Sequence, residues 1–514
     1  MRQSCGSAPR VFTFIPLALF AAMILFLAVD SLFTTAAMTR GDKVSDFTIY
    51  KRDFPPAHIL TYIAACAAVY FVARKVSAFS TKHLLAFLSA AVLAAGFVFI
   101  TFADVEPAAD GMQTLACAQE FVAGDYGKLQ PNKYLGFYPQ QLGLTWYFSL
   151  FAGASEDGAY IIIQYVNLIY CVICLNCLVL MTKLIFANPL VTNLTALLTV
   201  CFVPFFMYAT FVYGNIAGFC FALLAMLFQL MYLKNHKIIF VIFSVAFITF
   251  SVLIRKNFLI VLVALVIFYL LDALRTRKWL RAVPAAAAVF FCLITGNLLA
   301  AYYASASGIE PSAGVPNSAF IAMGLQEGPR AQGWYNSYNY DIYADNGYNS
   351  AIASEKSARE IKDRLKVFAR SPRYALDFFY HKLSSMWNNP DFQAVHIITS
   401  RPNKAVSSYA GRLLLEDNNK LHEYFEGFMN LFQSLILLGT AAFIAFNFKK
   451  LTIEKLYFAV VFIGVFLFHI FWEAKGQYVF TAFFLLMPYA AAGLSASANA
   501  LSHLIAVVRA KALS

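Results

Sequence analysis

Twelve apolar stretches, each close to the length that crosses a bilayer, constrain this chain more than anything else in it. They lie near 11–33, 57–73, 84–103, 158–182, 188–210, 214–233, 238–254, 257–272, 283–304, 428–447, 457–472 and 477–496. A hydrocarbon core takes about 20 helical residues. Within it only helices and closed barrels satisfy every backbone N–H and C=O. The 514 residues are 61% hydrophobic and 13% charged; a soluble chain carries about 25% charged residues. The chain therefore reads as an all-α polytopic membrane protein, and a soluble enzyme is excluded. The net charge of +12 is no sign of nucleic acid, because Lys and Arg collect on cytoplasmic loops.

Charge sets the expected orientation. With the N-terminus inside, the cytoplasmic segments hold Arg74, Lys75 and Lys82, then Lys183, then Lys234 and Lys237. Arg275, Arg277, Lys278 and Arg281 follow, then Lys449, Lys450 and Lys455, with hardly any acid among them. Outward segments mix signs, as in Arg40, Asp42, Lys43 and Asp46. Both termini then face the cytoplasm, and the long segments 104–157 and 305–427 lie outside the cell membrane. The chain divides into N-terminal spans (1–103), a first outer loop (104–157), a central bundle (158–304), an outer cap (305–427) and C-terminal spans (428–514). The first apolar run is too long for a cleaved leader and reads as a retained span. Residues 142–153 are apolar but too short to cross, so a helix lying in the interface is expected, with Trp146 and Tyr147 at that level. In the cap, helical spacing of Ile361, Leu365 and Phe368 predicts a helix over 349–382, broken at Ser371-Pro372 and resumed over 373–387. The cysteine cluster at 171–177 lies mid-span without His or acid and reads as small apolar packing.

The first outer loop gathers three acids just past the third span: Asp104, Glu106 and Asp110. Carboxylates at the rim of a bilayer are costly unless they stay wet or do work. A carboxylate so placed can act as a general base that takes the proton from an attacking hydroxyl. Asp110 is the leading candidate, with Asp104 and Glu106 as alternatives; the three leave room for a divalent cation (Mg or Mn) without requiring one. Arg255 and Lys256 form a basic pair at the outer end of a helical hairpin, suited to a donor phosphate. The turn WEAKGQYV brings Glu473, Lys475, Gln477 and Tyr478 to the outer face. Tyr138 and Gln140 in the aromatic-proline run, and Trp334 and Tyr335 in a Tyr/Asn-rich stretch, are candidates for binding sugar. His381, His396 and His422 are too scattered for a metal site.

The run ADGMQTLACAQEFVAGDY…YLGFYPQQLG resembles the first extracytoplasmic loop of GT-C glycosyltransferases, in particular the bacterial protein O-mannosyltransferase-like branch. FVYGN at 211–215, LIRKNFLI at 253–260 and WEAKGQYVF at 472–480 add weaker matches. The resemblance implies a GT-C-like helix bundle with interfacial helices in the first outer loop. It implies an inverting hexosyltransferase, mannosyl-type, that draws on a polyprenyl-phosphate sugar donor and serves a cell-envelope glycan, lipid or protein acceptor. Asp110 falls on the family's acidic position, and the 472–480 turn falls over its donor pocket. Three departures stand out. The acidic loop follows the third span, not the first; Gly111 replaces a second acid beside Asp110; and Gln477 stands where the family often has Arg. Two other readings compete. A polysaccharide polymerase or ligase would put its key Arg and His residues in the large late loop. A transporter or flippase would show repeated halves and charges at mid-membrane.

Overall fold

The computed structural model describes residues 11–39, 47–153, 158–399 and 420–513. Among them, ten helices are long and apolar enough to cross a membrane. The stretch at 188–210 is a bent pair, Pro189–Cys201 and Val203–Thr210, meeting at 59°, and Ile238–Ile254 is a shorter apolar helix of 17 residues. The bend falls at Phe202, whose backbone leaves the helical region just before Pro204, a residue with no N–H to continue a helix. All twelve apolar stretches thus correspond to helices, and the chain is an all-α polytopic membrane protein.

One element is not helical. Thr34–Thr39 (β1) and Phe47–Arg52 (β2) pair antiparallel with Thr34 opposite Arg52. The charges Arg40, Asp42, Lys43 and Asp46 between them lie outside the described residues. The hairpin fastens the cap. Ala36 N–H donates to the Asn388 carbonyl, Thr48 N–H to the Arg330 carbonyl, each at 2.9 Å, and the Tyr50 hydroxyl to the His381 carbonyl at 2.9 Å. Asp30, near the C-terminal end of the first span, accepts from the Tyr380 hydroxyl at 2.8 Å and from Asn388 at 3.3 Å. An acid at membrane depth is tolerable when so paired.

The cap helices are Ser350–Arg370 and Pro372–Trp387, separated at Ser371. Asn349 caps the first by accepting from the Ala351 and Ile352 N–H groups. In the outer loop, Ala109–Val122 and Leu142–Ala152 are helices, the second at the place where an interfacial segment was expected. Cys117 is buried and unbridged.

The C-terminal helices press together more tightly than side chains permit. A Cβ on Gly493 would lie 1.8 Å from the Gly439 carbonyl oxygen, joining Met487–Leu513 to Lys420–Asn447. Small residues allow such close backbone approach in membranes. Gly493→Val is therefore expected to destabilise by about 1–3 kcal/mol through overpacking. Gly427→Ala, whose added methyl meets nothing within 4 Å, is expected to hold or raise stability. Thermal unfolding of the two variants in detergent checks the contrast; equal melting would sink the packing argument.

Candidate active site

Asp110 stands in the first turn of helix Ala109–Val122, where a carboxylate is favoured by the helix dipole. The connector that delivers it is pinned by left-handed backbone at Asp104 (φ 44°) and Ala109 (φ 48°). For alanine that conformation is costly. Gly111 explains the departure from a paired acid: a Cβ there would lie 2.5 Å from the Val212 carbonyl oxygen. Its absence lets the segment before helix Asn215–Asn235 close onto Asp110.

That segment carries Tyr213. Its hydroxyl donates to Asp110 Oδ2 at 3.1 Å and accepts from Gln141 Nε2 at 2.6 Å. Its carbonyl accepts from Arg255 Nη1 at 3.0 Å, and the Arg255 guanidinium lies 4.4 Å from its ring centre. The same guanidinium is 5.9 Å from the Tyr478 ring. Tyr478 donates to Glu473 Oε2 at 3.0 Å, and Lys475 Nζ lies 3.1 Å from Glu473 Oε1. Lys475 also lies 5.8 Å from the Tyr335 ring centre, and Arg330 lies 5.1 Å from it. A continuous chain therefore runs Asp110–Tyr213–Arg255–Tyr478–Glu473–Lys475, drawn from segments more than 360 positions apart in sequence.

Protonation follows from this layout. Burial, then the Asp110 charge, pushes the Tyr213 phenol well above its ordinary range. Burial and Asp110 raise Tyr138 likewise. Burial pulls the Lys475 ammonium down, but Glu473, Asp110 and Tyr213 outweigh it and hold the group above its usual value. At neutral pH the cluster presents neutral phenols and a cationic Lys475.

The turn bearing Glu473 to Tyr478 is held from beneath. The fully buried Lys382 donates to the carbonyls of Gly324 (2.5 Å), Ile470 (3.0 Å) and Trp472 (2.8 Å). Ala474 N–H donates to the Gly333 carbonyl at 2.8 Å, and Asn215 Nδ2 to the Gln477 carbonyl at 3.2 Å. Burial pulls the Lys382 pKa down to about 7, against the pull of Glu473.

Of the residues singled out from sequence, Asp110, Tyr138, Tyr335, Arg255, Glu473, Lys475 and Tyr478 come together. Lys256 does not: the basic pair is split, with Arg255 facing Tyr213 and Lys256 facing the helix Val283–Ser307 near Cys292 and Gly296. Successive residues at the break before a helix point apart, so adjacency in sequence was misleading. Gln140 lines the same cleft as Lys256. Trp334 is not a sugar platform; it is fully buried and donates its indole N–H to Ser385 at 2.8 Å. The Gln477 side chain lines an apolar crevice behind Arg255, while its N–H donates to Gln393 Oε1 at 3.1 Å. Asp104 ends the helix Thr81–Ala103, and Glu106 sits on the connector. Among the described residues no group of three or more His, Cys, Asp or Glu could hold a metal ion. The residue that sequence reasoning missed is Tyr213. Its signal was the FVYGN match, which named a motif and no role.

No protein-family model matches the chain, and no curated protein matches it. Among solved structures it is similar to ArnT from Cupriavidus metallidurans bound to undecaprenyl phosphate, at 13% identity over 81% of this chain and 77% of that one, with a TM-score of 0.34.

Lys382→Met leaves one buried and two part-buried carbonyls without this donor and is expected to cost about 2 kcal/mol. A second signature is pH dependence. The folded pKa of about 7 lies below the ordinary 10.5, so between those values the unfolded chain binds more protons and this group makes stability rise with pH. Melting curves at pH 6.5 and 9 should show a rise that Lys382→Met removes; an unchanged rise would mean that another group causes it.

Proposed function

We propose that this protein is a membrane glycosyltransferase that moves a hexose, mannosyl-type, from a polyprenyl-phosphate donor to a cell-envelope acceptor on the extracytoplasmic face. The observation that carries the reading is the contact chain from the Asp110 carboxylate through Tyr213 to Arg255, with Lys475 beside it. A base and a paired-cation site one phenol apart match the two ends of a phosphosugar transfer.

In this reading the acceptor hydroxyl oxygen attacks the anomeric carbon while Asp110 takes its proton. The bond from the anomeric carbon to the phosphate oxygen breaks, and the electron pair leaves on the lipid phosphate. Arg255 and Lys475 neutralise that charge as it develops. Tyr213 orients the Asp110 carboxylate by its hydrogen bond. The tyrosine rings of Tyr138, Tyr335 and Tyr478 supply faces for the sugar. Glu473 is held by Lys475 and Tyr478, so it is not placed as a second, nucleophilic carboxylate. A single displacement with inversion needs one base and no protein nucleophile, and in this reading Asp110 is that base.

The test is transfer by purified, reconstituted protein using radiolabelled polyprenyl-phosphate hexoses and a membrane extract as acceptor source. Asp110→Asn is expected to lose about 100-fold or more, the scale of a lost general base. Tyr213→Phe is expected to lose less, and Arg255→Gln to raise the donor KM. Transfer by Asp110→Asn equal to wild type would remove Asp110 from the base role.

A further inference from the structure

We infer that the cleft around Lys256 is a binding site for an anionic diacyl phospholipid, separate from the Asp110–Arg255 cluster. It holds about 310 Å³, at the lower end of the range of ligand pockets, about 300–1,000 Å³. That is room for a headgroup and not for a whole lipid.

Its construction selects the occupant. One wall is the loop that carries the candidate site, through Leu135, Pro139 and Gln140; the other is the helix Val283–Ser307. On that helix Gly296, Ala300 and Ala304 recur every four residues, and their small side chains open the groove. Lys256 Nζ reaches to 3.5 Å from where a Gly296 Cβ would stand. No ion pair or side-chain hydrogen bond engages Lys256 among the described residues, and Leu129, Leu142, Leu253 and Leu299 line the same cleft. An ammonium that faces a cleft with mostly apolar walls gains from an anion brought beside it. Gln140 and Asn297 are further polar residues of the lining.

The helix that forms this wall is apolar and largely uncovered by the rest of the protein. The membrane-crossing window of this helix is only 22% buried, and Phe290 and Leu293 are 56% and 63% exposed along the same face. A headgroup at Lys256 leaves its acyl chains lying on that face. The donor phosphate in the functional reading belongs to Arg255 and Lys475 on the other side of the loop. The phospholipid thus acts as a brace behind the loop. The inference goes beyond the transferase reading and stands without it, because lipid retention requires no chemistry.

The full-length protein, purified with equimolar phosphatidylglycerol and phosphatidylcholine, is examined by native mass spectrometry. Wild type should retain phosphatidylglycerol selectively. Lys256→Gln should cut that retention at least fivefold with phosphatidylcholine unchanged, and Lys256→Arg should keep it. Gly296→Leu fills the groove while the lysine remains, so it too should lose the lipid; retention there would reduce the effect to surface charge and overturn the site. Retention by Lys256→Gln equal to wild type would also overturn it. Displacement of phosphatidylglycerol by equimolar polyprenyl phosphate would reassign the cleft to the donor lipid. Asp110→Asn should bind phosphatidylglycerol as wild type does, which separates this result from any failure of sugar transfer.

Discussion

The phenol of Tyr213 is the contact on which the candidate site depends. A carboxylate and a guanidinium at the edge of a low-dielectric region attract one another strongly, and left alone they would pair and be spent. Tyr213 stands between them. Its hydroxyl engages Asp110, and its carbonyl and ring engage Arg255. The base and the cation are thus coupled but kept apart. The rest of the fold serves that placement: Gly111 lets the tyrosine approach, and Lys382 fixes the opposing turn.

Much of the architecture was legible because bilayers impose a length. Apolar runs of about 20 residues mark helices whatever their neighbours do, and the twelve stretches were placed on that ground alone. Strands carry no such mark. β1 and β2 are six residues each, and their pairing is set by partners on the cap, so the pattern around 34–52 read only as an outer loop. The cap helices were readable from their charged, periodic face and from Ser371-Pro372, which breaks a helix for local reasons.

The site was partly legible for a different reason. Asp110, Arg255 and Lys475 are conspicuous as charges beside apolar runs, and charge at a membrane edge is costly enough to notice. Which way each side chain points was not legible. Arg255 and Lys256 look equivalent in the sequence, yet the backbone turns between them and sends one to each side of the loop. Trp334 and Tyr335 are adjacent too, and one is core while the other borders Lys475. Tyr213 carries no charge and lies among aromatic residues, so nothing in composition distinguished it from packing.

The bond between Asp30 and Tyr380 joins positions 350 apart. A ribosome feeding this chain into a membrane releases the acid long before its phenolic partner exists. The hairpin that follows Asp30 waits as well, since Arg330, His381 and Asn388, which take its backbone and Tyr50 bonds, lie some 280 or more positions further along the chain. The first span therefore enters the bilayer with these contacts unmade, and they close only after the later segments have been synthesised. A truncated product that ends before the cap would expose an unpaired acid and an open strand edge at the membrane surface, which are features that quality-control machinery can read as an unfinished protein.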